Sequence, residues 1–193
     1  MAQIQQDKNK LNLTPRRFNM WIFIFTSFMF FAALTSAFIV YSGGKGHALN
    51  VIMPQVFMFS TAAIVLSSVT MFLASQAARR LQVAKQRTFL WATFVLGIIF
   101  LIAQIYGWYI LTFRMGVYFS NPNASQSFIY VFSGMHLLHI LAGLVLLIIS
   151  LVGTYRNTPQ AINLFRMEMG SIFWHFVDII WIYLYVFLLL NQN

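Results

Sequence analysis

The sequence predicts an all-α fold, a polytopic membrane bundle of five transmembrane helices with the N-terminus in the cytoplasm and the C-terminus outside. Three observations predict it. Hydrophobic residues make up 60% of the 193 residues and charged residues only 8%, against roughly 25% charged in an average soluble domain. Five apolar stretches, about 20–41, 52–77, 89–111, 127–153 and 172–190, contain no Lys or Arg, and each approaches or exceeds the ~20 residues needed to cross a ~30 Å hydrocarbon core. The basic residues gather on one side of those stretches. Period-2 alternation is absent from all five, which removes a β-barrel reading.

Before the first stretch, residues 1–18 form a polar arm with Lys8, Lys10, Arg16 and Arg17. No small-residue cleavage site follows the first apolar run, so the arm does not read as a signal peptide. Residues 19–193 read as a single transmembrane bundle without internal repeat. Gly43, Gly44 and Gly46 are expected to break the chain after the first span, and Pro54 to open the second. Turns are expected at Asn121-Pro122-Asn123 and Asn157-Thr158-Pro159. The second connection carries Arg79, Arg80, Lys85 and Arg87, and the fourth carries Arg156 and Arg166. With the arm that makes ten basic residues on one side, against Lys45 and Arg114 on the other. The excess marks the cytoplasmic side.

The net charge of +9 therefore encodes topology, and nucleic acid is not an expected partner. The absence of Cys excludes disulfides, thiolate metal sites, iron–sulfur clusters and thioether-linked haem. In the second span Ser60, Ala63, Ser67, Thr70 and Ala74 recur at alternating three- and four-residue steps. They draw a smooth helix-packing seam, to which Ala33, Ala37 and Gly97 are candidate facing grooves.

Ionisable and polar groups at membrane depth are costly and therefore the candidate functional residues. In the fourth span His136 and His139 share a face, continued by Gly143. In the fifth, His175 and Asp178 share a face, and Trp174 and Trp181 lie two turns apart. Glu168 precedes that span, and Gln104 lies within the third. Depth along antiparallel helices places His136 and His139 near Asp178, and an imidazole facing that carboxylate would give it a partner. Three readings compete: a structural hydrogen-bond network, a lipid-headgroup or partner-subunit contact, and ligation of haem or a metal through His136, His139, His175 and Asp178. The residues favour the first. No phosphate loop, nucleophile elbow or carboxylate pair is present, and no broken helix or charged path suggests a transporter.

The run Phe173-Trp174-His175-Phe176-Val177-Asp178-Ile179-Ile180-Trp181 resembles the Trp-His-Phe-Val-Asp-x-x-Trp motif of subunit III of haem-copper terminal oxidases, the cytochrome c oxidase type. Glu168 matches the acidic residue leading into that helix. Ser133-Gly134-Met135-His136-Leu137-Leu138-His139-Ile140 is similar to a second family segment. The stretch Leu66-Ser67-Ser68-Val69-Thr70 and the helix around Gly97 and Gln104 are similar to two more.

The resemblance implies an accessory subunit that packs against oxidase subunit I, accompanies subunit II, binds phospholipid and has no redox centre of its own. Haem and copper are then expected in the partner subunits, in a complex that reduces oxygen to water and pumps protons across a bacterial cytoplasmic membrane. Electrons reach such a complex from cytochrome c, quinol or a quinol-oxidising supercomplex partner. A related branch serving nitric oxide reductases is the alternative. Two departures stand out: the chain resembles the five-helix form rather than the seven-helix one, and Ser27 and Gly107 stand where many members carry Glu.

Overall fold

The structure is a computed structural model, which describes residues 14–45, 49, 51, 53–119, 124–156 and 159–192. Five helices follow in order: α1 (Thr14–Lys45), α2 (Gln55–Arg79), α3 (Val83–Phe113), α4 (Ala124–Tyr155) and α5 (Gln160–Leu190). Each contains a stretch long and apolar enough to cross a membrane, and the described residues contain no strand. Four of the five outrun the apolar runs that predicted them, because the flanking polar residues continue the backbone ladder, whereas α2 starts only at Gln55, just after Pro54. Residues 14–18 of the expected arm thus begin α1, and α3 takes in Lys85 and Arg87. Contrary to expectation, α1 runs through Gly43 and Gly44 to Lys45, since glycine weakens the last helical turn without forbidding it. The arm up to residue 13, Gly46, Ile52, Asn121-Pro122-Asn123 and Asn157-Thr158 lie outside the described residues.

From α2 onward, short connections make sequential helices antiparallel neighbours. Between α2 and α3, Leu81 adopts a left-handed φ of 62°, and Gln82 N–H bonds the Ala77 carbonyl at 3.0 Å. This closes the helix end with a Schellman-type cap. After α3 the same geometry falls on Gly116, φ 67°, where no Cβ resists it.

Four helices close a ring: α2 packs on α3, α3 on α4, α4 on α5, and α5 back on α2. The α2–α3 pair is the most extensive. Its buried positions alternate by three and four from Phe57 to Ala78 and from Gln86 to Leu111, the pattern of a left-handed supercoil seam. Outside the ring, α1 leans on α4 and α5 and has no packed contact with α2 or α3 among the described residues. Its outer face is correspondingly bare, with Phe18, Trp21, Phe25 and Phe28 all exposed.

The polarity of the molecule is that of a protein dissolved in lipid. Large apolar side chains coat it, while Ser60, Ser67, Gln86, Thr93, Gln104 and His136 are buried. Buried polar groups in hydrocarbon must find partners within the bundle, and here most join neighbouring helices. Gln86 and Asn163 exchange amide hydrogen bonds of 3.5 and 3.4 Å between α3 and α5. Arg87 donates to the Thr154 carbonyl and lies 4.2 Å over the Tyr155 ring, tying α3 to α4.

Candidate functional site

The two tryptophans of α5 organise the middle of the ring. Trp174 is buried and donates its indole N–H to Ser67 Oγ of α2 at 2.9 Å. Its six-membered ring fits a slot between two glycines of different helices. A Cβ on Gly97 of α3 would lie 3.0 Å from Trp174 Cη2, and one on Gly143 of α4 would lie 3.0 Å from its Cε3 and Cζ3. Any side chain at either position would press on the indole, so one residue of α5 holds a hydrogen bond to α2 and close packing on α3 and α4.

Two turns later Trp181 repeats the arrangement. Its N–H donates to Thr61 Oγ1 of α2 at 3.0 Å. Its ring meets Phe100 of α3 edge-on at 5.1 Å and His136 of α4 at 4.9 Å. At the same level Gln104 Nε2 donates to Ser60 Oγ at 3.1 Å, and Gln104 Oε1 has no partner among the described residues. Gly107 lets the Phe57 ring approach, since a Cβ there would lie 3.0 Å from it.

The seam of small residues faces two partners rather than one. Ser60 and Thr70 meet α3, the latter through Thr93 at 2.8 Å, whereas Ser67 meets α5. Ala74 is buried, and Ala63 is half-buried. Of the candidate grooves only Gly97 is filled, by Trp174; Ala33 and Ala37 are exposed on α1.

The four ionisable residues at membrane depth do not converge. His136 is fully buried within the ring, packed on Phe100 and Trp181, and neither ring nitrogen has a hydrogen-bond partner among the described residues. His139, three residues on, turns to α1: its Nδ1–H donates to the Met135 carbonyl at 2.8 Å, so its Nε2 accepts the Ser27 hydroxyl at 3.2 Å. His175 faces α2, with Nδ1 2.7 Å from Ser68 Oγ. Ser68 also lies beside the Asp178 carboxyl, yet its bond is made to His175, and neither Asp178 oxygen has a hydrogen-bond partner among the described residues. The expected imidazole–Asp178 pairing is therefore absent. Spacing fixes which residues share a face of one helix but not how neighbouring helices are rotated. Among the described residues no three His, Asp or Glu side chains group as metal ligands, so a two-His, one-carboxylate iron set does not assemble. Glu168 instead pairs with Arg17, clasping α1 to α5.

Sequence reasoning singled out Trp174 and Trp181 but missed Thr61, Ser68 and Ser27 as bonding partners. It named Gly97 and Gly143 without the ring that fills them. A glycine inside an apolar helix was the available signal, since such residues commonly mark close packing.

The fold and this interior define a class: a multi-pass helical membrane protein whose interior polar side chains mostly join helix to helix. The comparisons with known proteins make it specific. A family model, Cytochrome c oxidase subunit III, matches residues 2–191, and the chain belongs to that family. It is 28% identical to the cytochrome bo(3) ubiquinol oxidase subunit 3 of Buchnera aphidicola subsp. Acyrthosiphon pisum, over 95% of this chain and 90% of that protein. It is 30% identical to the cytochrome c oxidase subunit 3 of a Synechocystis strain, over 89% of this chain and 73% of the relative. With the cytochrome c oxidase subunit 3 of Alkalihalophilus pseudofirmus it shares 25% identity, over 86% and 81% respectively.

Proposed function

We propose that this chain stabilises the catalytic core of a respiratory haem-copper oxidase, as its accessory subunit III. The complex reduces oxygen to water and pumps protons in a bacterial cytoplasmic membrane, and its haem and copper reside in partner subunits I and II. The observation that carries this reading is the use to which the interior side chains are put: the two tryptophans of the family motif hydrogen-bond and pack across the ring. In this reading the rigid four-helix ring is a buttress, and the loosely attached α1 offers the more adaptable surface.

Phospholipid retention belongs to the same proposal. Between α1 and α4 lies an apolar groove of about 520 Å³ lined by Met20, Phe23, Val145, Leu146 and Phe173, with Arg16 and Asn19 at one end. That order suits acyl chains below and a phosphate above. The orientation, N-terminus inside, rests on the ten-to-two basic asymmetry.

Deleting the chain from its host tests the buttress role. The remaining oxidase is expected to begin turnover at its normal rate and then to lose activity faster than the complete complex. An oxidase inactive from the first turnover, with its haems intact, would contradict a purely supporting role.

A further inference from the structure

The interior of the ring is mostly apolar, and most polar atoms that enter it are paired. Trp108, Trp174 and Trp181 each donate an indole N–H to a hydroxyl of a neighbouring helix. Gln104 and His136 break the pattern. Gln104 Oε1 and both ring nitrogens of His136 are buried without a hydrogen-bond partner among the described residues. At membrane depth such atoms have no bulk water to turn to.

The three atoms belong to one level of the ring. Trp108 of α3 bonds Ser133 of α4 at 2.9 Å, which fixes the register of these two antiparallel helices. One turn back along α3 lies Gln104, and one turn on along α4 lies His136. A further turn back along α3 brings Phe100, whose ring centroid is 5.7 Å from that of His136. Gln104 therefore stands between two residues of its own helix that reach the same turn of α4, and Phe100, Gln104 and His136 are all buried.

The inventory of donors and acceptors says what these atoms need. Ser60 spends its hydroxyl hydrogen on the Phe57 carbonyl at 2.9 Å, so the group facing its oxygen must be a donor. That sets the amide of Gln104 with Nε2 on Ser60 and Oε1 turned away. Oε1 can only accept, whereas an imidazole in any protonation form carries at least one N–H. A donor on one helix and an acceptor on the next, at one level and not bonded to each other, are joined by a molecule that both accepts and donates. Water does both, and a buried water typically makes about three such bonds. For its second hydrogen Ser60 keeps one lone pair, having donated once and accepted once.

We propose that a buried water molecule bridges His136 and Gln104 in the middle of the ring. It accepts the imidazole N–H and donates to Gln104 Oε1. Among the described residues, direct hydrogen bonds join α3 to α4 only on either side of this level. Trp108–Ser133 and Thr112–Tyr130 lie towards one end, and Arg87–Thr154 and Trp91–Tyr155 towards the other. The bridge links the two helices between them, and it gives two polar side chains a reason to face an aromatic-lined interior. The site lies within the chain's own ring, so it does not depend on which complex the chain serves.

The test is a cryo-EM map of the chain, purified in mild detergent from its own membranes with the subunits that accompany it, at a resolution that shows ordered water. The expected map has a peak of water's strength about 2.7–3.2 Å from both Gln104 Oε1 and one nitrogen of His136. In the Q104L variant the acceptor is gone, and the peak is expected to vanish while Trp181 keeps its bond to Thr61. Solid-state NMR of the wild type labelled with ¹⁵N-histidine decides independently of whether that variant folds. It is expected to show magnetisation passing from water to the His136 N–H. No peak in the wild-type map, a direct His136–Gln104 bond, or a peak strong enough for a metal ion overturns the bridge. So does a peak that survives in Q104L, or a His136 N–H that receives no magnetisation from water.

Discussion

Substituting alanine for Gly143 adds one methyl group to a helix interior, a change that favours an isolated helix by about 1 kcal/mol. In this bundle the methyl would sit 3.0 Å from two carbons of Trp174 and 3.4 Å from Phe173 Cε1, so neighbours must yield by several tenths of an ångström. The indole has nowhere to go. Its far edge already abuts Gly97, and sliding along the slot would break the 2.9 Å bond to Ser67. Overpacking of this kind costs about 1–3 kcal/mol, enough to reverse the helix-propensity gain. With Trp174→Phe in the background the slot is larger and the Ser67 bond is already gone. There Gly143→Ala is expected to be neutral, or stabilising by up to about 1 kcal/mol. Reversible unfolding of the four proteins by sodium dodecyl sulfate in mixed micelles, followed by helicity, gives the double-mutant cycle. A coupling near zero, with Gly143→Ala costing the same whether Trp or Phe occupies position 174, would refute the slot as the reason for this glycine.

Two further predictions concern charge. A reporter fused after Asn193 is expected in the outer compartment and one inserted between Arg79 and Arg87 in the cytoplasm, as the basic asymmetry requires; a cytoplasmic C-terminus would refute the five-span topology. Because Asp178 is buried and has no hydrogen-bond partner among the described residues, Asp178→Asn removes no bond and no favourable charge, and is expected to leave bundle stability unchanged or raise it. A loss of about 3–5 kcal/mol, the cost of breaking a buried ion pair, would reveal a partner to the carboxylate.

The spans were legible because hydropathy integrates over twenty residues and no soluble fold hides so much apolar surface. Their ends were not. Gly43, Gly44, Lys85 and Arg87 look like breakers or loop residues to a composition argument, yet backbone hydrogen bonds carry each helix through them. The face pattern of α2 was readable, since Ser60, Ser67 and Ala74 are all buried, but its division between α3 and α5 depends on the ring closing, which periodicity does not encode. Position 178 marks the boundary most clearly. Three-residue spacing correctly set His175 and Asp178 on one side of α5, beside Ser68. The same reasoning brought His136 to Asp178 by depth alone, whereas His136 turns into the ring against Trp181 and His139 turns out to Ser27. Depth is a one-dimensional coordinate, and helix rotation supplies the other.

The central claim is that the chain serves a haem-copper oxidase without holding its redox centres. Affinity purification of the tagged chain from its own membranes in mild detergent, with a visible spectrum and subunit identification on the same sample, tests it most directly. The expected preparation contains oxidase subunits I and II with their haem and copper, and the chain separated from them is colourless. A chain that purifies without those subunits, or that keeps a haem band abolished by His136→Ala once they are removed, would contradict it.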